Sequence, residues 1–331
     1  MSDGTGTLAE SEEFAALAAP YRRELLAHCY RMLGSVDDAE DQVQETLLRA
    51  WRSYGDFEGR SSMRTWLHRI ATNACLRALE NRGHRPLPSG LGGPSPDPDG
   101  PLPTEGIDLP WLQPVPDWLV SSAGADPAAV VSSRASLRLA LIAALQYLPP
   151  RQRAVLILRD VLNWRAAEVA DLLGTSTTAV NSALQRARSQ LTALAPDEDS
   201  IREPADAETQ DLLARYATAF ESADVAGLAA LLSADAAMEM PPVPFWFAGR
   251  ELIAAFLARR VLRSPGAFRM IQVAANGQPA FAVYERDEGG TYRAHAIQVL
   301  DITAAGITRI VSFNDASLFR AFALPGSYQV A

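Results

Sequence analysis

The chain has few cysteines and histidines, no long apolar run and no glycine-rich phosphate loop, and each shortage excludes a class of protein. Its two cysteines, Cys29 and Cys75, cannot form a disulfide framework in 331 residues. Both lie among helical apolar residues, so we predict small buried side chains in a reducing, cytoplasmic compartment. The four scattered histidines have no ligand spacing, so neither a metal site nor a cofactor is predicted. No segment approaches the roughly 20 apolar residues of a membrane span, and the acidic start is not a secretory signal.

The chain also lacks a net positive charge. Its net charge of −9 argues, taken alone, against a nucleic-acid partner. The charge is segregated, however. Arginines crowd 60–85 and 151–188, whereas acidic residues dominate the N-terminus and the segment after Pro196. Two basic stretches of this kind can still form phosphate-binding surfaces.

Composition divides the first two thirds of the chain into two helical blocks and a linker. Residues 14–82 and 127–195 carry apolar residues at helical spacing. The segment 83–126 between them is saturated with proline and glycine, so it cannot sustain a helix or a sheet. It contains one apolar island, Leu109–Leu112, which we expect to dock on a folded surface.

The third block, 203–331, changes character along its length. It begins with two helices and continues as short alternating strands, with hairpin signals at Asn276-Gly277 and Gly289-Gly290. This order predicts an α+β domain with an antiparallel sheet. The fold class is therefore multidomain: two all-α domains, the second with a helix-turn-helix, and a C-terminal α+β domain.

The segment Asp37–Trp51 combines an apolar stripe with an acidic face. Ser35 is the expected N-cap, and Asp37 and Asp38 follow in the first turn, where carboxylates suit the helix dipole. The stripe recurs at helical spacing and faces the core: Val36, Ala39, Val43, Leu47 and Ala50. The opposite face carries carboxylates around Leu48. In isolation, such a face is most simply a solvated surface.

The segment Trp164–Arg188 has the spacing of a helix-turn-helix. Ala170 is the small residue where the helices cross, Gly174 makes the turn and Val180 plugs the second helix onto the first. Ser176 is the expected cap of the second helix. The outward face of that helix carries side chains that bond to base edges or phosphates: Thr178, Asn181, Ser182, Gln185 and Arg186. A helical hairpin with accidental spacing is the alternative.

On these residues the chain resembles a known family. The stretch DDAEDQVQETLLRAWRSYGDFEGRSSMRTWLHRIATNACLRALENR resembles the core-polymerase-binding and −10-recognition domain of bacterial sigma factors. The stretch LIAALQYLPPRQRAVLILRDVLNWRAAEVADLLGTSTTAVNSALQRAR resembles their −35-recognition domain. Both occur in the family's order, across a linker, as in the extracytoplasmic-function group. The resemblance implies a transcription initiation factor that is not an enzyme, with core RNA polymerase and promoter DNA as partners and no membrane association.

The resemblance assigns roles to three sets of residues. Those that match the polymerase-binding pattern are Asp38, Glu40, Asp41, Gln44, Glu45, Leu48 and Trp51. Those expected at the −10 element are Arg60, Arg64, Trp66, Arg69, Asn73 and Arg77, although Trp66 also has the spacing of a core residue. Those expected at the −35 element are Ser176, Thr178, Asn181, Ser182, Gln185 and Arg186.

The third block resembles the SnoaL-like, nuclear-transport-factor-like fold, in which helices and a curved sheet enclose a pocket. Predicted pocket residues are Trp246, Tyr284, His295 and Phe313, with Met238 and Met240 beside them. Because Met238 and Met240 alternate with Glu239, the methionines share one face and Glu239 the other. The fold hosts enzymes as well as binding modules, so a small-molecule ligand remains open.

Two alternatives to a sigma factor with a regulatory third domain remain. One is a bifunctional protein whose third domain is an isomerase or hydrolase, with Asp235, Glu239, His295 and Asp315 as acid–base candidates. The other is a helix-turn-helix repressor that binds DNA without polymerase, which the acidic helix disfavours.

Overall fold

The computed structural model describes residues 12–80, 82–101, 109–121, 135–194 and 207–329. These residues form two compact units. The first contains the described residues up to His84 and those of the second helical block, and the second contains the described part of Arg85–Asp117 with the third block. The described linker between Arg85 and Asp117 therefore belongs structurally with the third block. No helix in the described ranges is long and apolar enough to cross a membrane.

Three packed helices make up most of the first block: α1 (Arg22–Leu33), α2 (Val36–Arg52) and α3 (Met63–Leu79). Gly34 ends α1 with a left-handed φ of 68°, and the Ser35 hydroxyl then accepts a hydrogen bond from the Asp38 N–H at 3.2 Å. The predicted cap is confirmed. The predicted stripe of α2 is buried except at Leu47, which is half-buried because Thr46 takes the fully buried position.

A buried pair of histidines lies between α1 and α3. His28 Nε2 is 3.0 Å from the Thr72 hydroxyl, and His68 Nδ1 is 2.9 Å from the Arg64 carbonyl oxygen. Burial lowers the pKa of both imidazoles, and His68 lowers that of His28 further. Both side chains are therefore neutral and structural at neutral pH.

The described part of the second block contains α4 (Leu139–Gln146), α5 (Pro150–Leu156), α6 (Ala166–Leu173) and α7 (Thr177–Leu194). Pro150 occupies the first turn of α5, where its missing N–H costs no hydrogen bond. The helix continues as one π-helical turn, Ile157–Val161. Helix α5 packs against α7, as α6 also does.

Arg153 of α5 connects the second block to the first. Its side chain is 2% exposed. The guanidinium donates to the main-chain oxygens of Met32, Gln146 and Leu148 and to Gln146 Oε1. Burial lowers the pKa of Arg153 to about 10, which leaves it protonated at neutral pH. The two Nη groups of this charged guanidinium thus join α1 to α5 inside the first unit.

Three helices and a seven-stranded sheet form the third block. The helices are α8 (Ala207–Glu221), α9 (Val225–Leu231) and α10 (Arg250–Phe256), the last extended by a π-helical turn, Leu257–Val261. The strands are β1 (Leu232–Glu239), β2 (Trp246–Ala248), β3 (Phe268–Ala275), β4 (Gln278–Arg286), β5 (Tyr292–Thr303), β6 (Gly306–Phe313) and β7 (Ser327–Tyr328).

The sheet runs in the order β2-β1-β6-β5-β4-β3, with β7 added to β5. Its pairs are antiparallel, as predicted, except β1 with β6, which is parallel. Strand β1 pairs with β2, and β3, β4 and β5 each pair with the next strand in sequence, whereas β1 and β6 are distant in sequence. Asn276 and Gly277 have φ of 59° and 70°, as a two-residue hairpin turn requires.

The two faces of the sheet differ in polarity: one carries apolar core residues, and the other carries charged residues. One face packs on α8, α9 and α10 in an apolar core that includes Met238, Leu300 and Ile310. Glu239, Asp301 and Arg309 lie on the other face, where Arg309 Nη1 is 3.1 Å from Glu239 Oε1. Strand alternation therefore separates Met238 from Glu239 as the sequence predicted.

Candidate functional site

The acidic face of α2 is open to solvent over two helical turns. Asp41, Gln44 and Leu48 are exposed, and Leu48 is 51% exposed despite being apolar. Glu40 and Glu45 flank them half-buried, and Glu45 pairs with Arg49 one turn along. The helix thus presents carboxylates and an amide around one solvent-facing leucine.

The remaining two residues of that predicted set have partners within the first block. Asp38 accepts a hydrogen bond from Arg82 at 2.5 Å. Trp51 is half-buried, with its ring centroid 5.8 Å from that of Phe14. Both residues therefore border the exposed face and help to fix its position.

Helix α3 presents a polar stripe made of four of the predicted −10 residues. Trp66, Arg69, Asn73 and Arg77 recur at i, i+3, i+7 and i+11, which share one side of a helix. Trp66 is half-buried, with its ring 4.6 Å from that of Phe57. Trp66 therefore packs against Phe57 and still leaves part of its side chain exposed to solvent.

The two other predicted −10 residues lie off this stripe. Arg64 faces α1, where Glu24 pairs with its guanidinium and raises its pKa. Nothing local in the sequence predicts an ion pair between residues 40 positions apart, and the role of Arg64 at the −10 element stays a prediction. Arg60 is exposed in the loop before α3, where it pairs with Glu58 at 2.7 Å.

Arg69 of the stripe also contacts the second block. Its Nη1 lies 2.7 Å from Asp171 Oδ2 on α6. Both side chains are substantially exposed, so water screens this ion pair and its contribution to stability is small. In this arrangement Arg69, a candidate phosphate-binding arginine, is paired with a carboxylate of the helix-turn-helix.

Helices α6 and α7 form the predicted helix-turn-helix. Gly174 adopts a left-handed φ of 61° at the end of α6, and the Ser176 hydroxyl accepts from the Ala179 N–H at 3.1 Å to start α7. Ala170 and Val180 are buried between the helices. The outward residues are all exposed: Ser176, Thr178, Asn181, Ser182, Gln185 and Arg186. The predicted turn, cap and core contacts are confirmed.

The third block encloses a cavity of about 360 Å³ between α8, α10 and the sheet. His295 lines it, as do Met238 and Met240. The imidazole Nδ1 of His295 is 3.2 Å from Glu285 Oε2, and burial lowers its pKa although that carboxylate opposes the shift.

The other three predicted pocket residues lie elsewhere, and these predictions are corrected. Tyr284 and Phe313 alternate with residues that do line the cavity, so they point to the opposite face. The Tyr284 hydroxyl donates to the Pro325 carbonyl oxygen at 2.9 Å. Trp246 pairs with Glu239 across β1 and β2 and donates from Nε1 to the Gly92 carbonyl oxygen at 2.8 Å.

The acid–base candidates do not form a catalytic pair in the described structure. Asp235 and Asp315 are exposed and bond to nearby Ser233 and Ser317. Glu239 is on the face away from the cavity. No hydrogen bond or ion pair within the described ranges joins any two of these three or joins one of them to His295. Those ranges also contain no group of three His, Cys, Asp or Glu side chains suited to a metal.

The linker docks on the third block at one edge of its sheet. The Ser89 N–H donates to Glu239 Oε2 at 2.9 Å, and the Ser95 N–H donates to the Trp246 carbonyl oxygen at 2.8 Å. Arg259 pairs with the Asp99 carboxylate. This part of the linker therefore follows β1, β2 and the end of α10.

The linker also docks at the opposite edge. Val115 and Asn276 exchange hydrogen bonds of 2.9 and 3.0 Å, and the Gly277 N–H donates to Asp117 Oδ1 at 2.7 Å. Leu112 and Val115 are 1% and 0% exposed. The expected docking of the apolar island is confirmed for its described residues, whereas 102–108 and 122–134 lie outside the described part of the chain.

Three family models match the chain in succession. Sigma-70 region 2 matches residues 17–85, Sigma-70 region 4 matches 138–191, and a SnoaL-like domain matches 213–312. The first two matches cover α1–α3 and α4–α7, and the third covers the cavity and most of the sheet.

Relatives match the chain over most of their length. The chain is 55% identical over 317 residues to an ECF RNA polymerase sigma factor, SigG of Mycobacterium tuberculosis H37Rv, covering 95% of this chain and 85% of that protein. It is 30% identical to the ECF sigma factor SigJ of the same organism, over 89% and 87% of the two chains. The crystal structure of Mycobacterium tuberculosis SigJ superposes with a TM-score of 0.61 at 22% identity, covering 96% of this chain and 99% of that one.

Proposed function

Because the chain belongs to the extracytoplasmic-function (ECF) family of RNA polymerase sigma factors, we propose that it binds core RNA polymerase through α2 and directs it to promoters through α3 and α7. It acts in the cytoplasm, with the polymerase. Family membership removes the repressor alternative. The third domain regulates and does not catalyse.

The observation that carries the polymerase contact is Leu48. An apolar side chain that is 51% exposed, on a helix face that also carries the carboxylates of Asp41 and Glu45, suits a basic partner that has an apolar centre. The charges set the orientation and rate of encounter, whereas the leucine supplies buried apolar area. Asp41 and Gln44 are exposed on the same face and contribute to it.

Promoter contacts divide between two helices. The stripe on α3 offers one aromatic edge, two arginines and an amide, the groups that hold an opened single strand. The exposed face of α7 offers amides, hydroxyls and Arg186, the groups that read base edges in the major groove. Arg69 must leave Asp171 to contact phosphate, so promoter binding and separation of α3 from α6 are linked in this proposal.

The third domain modulates promoter use through the docked linker. The linker connects the two sigma blocks in sequence and bonds to both edges of the third domain's sheet. Its bound length and path therefore depend on that sheet. In the described structure His295 pairs with Glu285 and with none of Asp235, Glu239 and Asp315, so these predicted acid–base candidates give an isomerase or hydrolase no support.

A pair of linker variants tests this role. Val115→Asp puts a carboxylate at a fully buried linker position, which undocks the linker without altering a residue of either sigma block. Leu91→Asp makes the same change at a linker residue that is 43% exposed. Run-off transcription with purified core polymerase and DNA from upstream of the protein's own gene then compares both with the unaltered chain.

We expect a specific transcript that requires the protein and whose yield changes in Val115→Asp but not in Leu91→Asp. Equal yields from all three proteins would refute the regulatory role and leave the sigma activity intact. If the unaltered protein did not bind core polymerase, the assignment of the α2 face would be refuted instead.

A further inference from the structure

The cavity of the third domain has apolar walls over most of its surface. Phe220, Met240, Phe256 and Phe268 line it, together with Val283 of β4. These side chains come from α8, α10 and the sheet, and they belong to or border the domain's main core. Its 360 Å³ equals the liquid volume of about a dozen water molecules. A ligand of roughly ten non-hydrogen atoms would fill it.

One end of the cavity is buried and polar. Gln298 is 3% exposed, and its Oε1 accepts a hydrogen bond from the Tyr216 hydroxyl at 3.0 Å. Ser312 Oγ is 3.5 Å from Gln298 Nε2 and 3.0 Å from Asn314 Oδ1. These polar groups form most of their hydrogen bonds with one another. They therefore close this end of the cavity and do not require a charged ligand group.

The other end is open and cationic. Arg260 lies in the π-helical turn and Arg263 just beyond it, half-buried and exposed respectively, and both line the cavity. Neither has an ion pair with any carboxylate in the described ranges. Arg260 donates only to the Asp99 carbonyl oxygen, at 3.3 Å. Two guanidinium groups without an ion pair of their own in the described ranges thus border the cavity, whereas the nearby carboxylates of Glu285 and Asp99 pair with His295 and Arg259.

We propose that this cavity binds a small apolar carboxylic acid. Its carboxylate is held by Arg260 and Arg263 at the open end, and its hydrocarbon body lies against the phenylalanine and methionine walls. Arginine suits this role because its planar fork matches a carboxylate, and because guanidinium is desolvated more readily than ammonium. The closed end sets the length of hydrocarbon that fits.

Arg260 would also report the bound acid to the linker. The same guanidinium contacts Asp99 of the docked linker, and its neighbour Arg259 holds the Asp99 carboxylate. A ligand carboxylate that recruits Arg260 removes one of these two donors and weakens the docking at that edge. This last step rests on the regulatory role proposed for the linker, whereas binding itself does not.

The test measures binding of three molecules of equal chain length to the full-length protein by titration calorimetry: octanoate, octan-1-ol and octylammonium. We expect octanoate to bind at least about tenfold more tightly than octanol, as one charge-assisted contact supplies, and octylammonium to bind least. Octanoate that binds no more tightly than octanol, or not at all at about 10 mM, would overturn the proposal.

Variants locate the site. Arg263→Gln removes a cation that has no partner in the described chain, so the fold is undisturbed, and octanoate affinity should fall about tenfold while octanol affinity is unchanged. Ser312→Leu fills the closed end and should weaken both. Arg215→Gln removes an exposed arginine on α8 that pairs with Asp211, away from the cavity. An equal loss of octanoate affinity in Arg215→Gln would mean that the acid binds to surface charge, which would contradict the proposal.

Because calorimetry needs neither polymerase nor DNA, a negative result here leaves the proposed sigma function untouched. A positive result would be followed by adding octanoate to the run-off assay. Binding that leaves transcription unchanged would restrict the inference to the site and refute the link through Arg260.

Discussion

Replacing Arg153 with methionine should loosen the first unit at the junction of its two helical blocks. Methionine keeps the apolar stem of the side chain but leaves the main-chain oxygens of Met32, Gln146 and Leu148 without this donor. A buried acceptor left unsatisfied costs about 1–3 kcal/mol, so three put the gross loss at about 3–9 kcal/mol. Removing a buried guanidinium recovers several kcal/mol of desolvation. We expect a net loss of about 2–4 kcal/mol.

Hydrogen exchange followed by mass spectrometry is the suitable assay, because a chain with two compact units has no single free energy of unfolding. Peptides from α1 and α5 should exchange about 30- to 1000-fold faster in Arg153→Met, as that free energy implies. Peptides from the sheet of the third block should be unchanged. Arg151→Met provides the control, since Arg151 is exposed on the same helix.

Two results would refute this reasoning. If only α5 exchanged faster, Arg153 would stabilise its own helix and not the junction with α1. If Arg151→Met had the same effect, the change would reflect helix propensity or net charge and not the buried contacts.

Three further changes separate the remaining roles. Leu48→Ala should weaken binding to core polymerase by about 1–2 kcal/mol through lost apolar area, and Asp41→Lys by about 1–3 kcal/mol through charge, without affecting duplex binding. Arg186→Gln should do the reverse, weakening promoter selection in a DNA-binding assay while polymerase affinity holds, so each set is the other's control. Stability should be complete above pH 6.5 and fall below it, because the unfolded chain protonates His28 and His68 first; a His28→Gln/His68→Asn variant should flatten that profile in acid-unfolding experiments.

Local signals predicted local structure well. Ser35 and Ser176 predicted helix starts because a cap acts within four residues. Asn276-Gly277 predicted a hairpin because only certain residues accept positive φ at both positions. The helix-turn-helix followed from the spacing of buried and small residues. Alternation also separated Met238 from Glu239, because successive side chains of a strand point to opposite faces of its sheet.

Long-range pairings were not accessible in the same way. The ion pair of Arg64 with Glu24 and the parallel pairing of β1 with β6 join residues far apart in the chain. Tyr284 was assigned to the wrong face because β4 is buried on both faces over most of its length, so its sequence does not show which alternating set of residues lines the cavity. In the sequence, Arg153 is one of several arginines. Its burial could not be predicted, because it depends on the contact with the Met32 carbonyl oxygen near the end of α1.

The docked linker has a consequence for how such chains can vary. Most of its bonds to the third domain use main-chain atoms: the N–H groups of Ser89 and Ser95, the carbonyls of Gly92 and Asp99, and both groups of Val115. Main-chain contacts depend on position and not on side-chain identity. Apart from buried sites such as Val115, these residues should tolerate substitution, whereas deleting or inserting one residue shifts every later contact. Conservation in this segment should therefore be sought in its length.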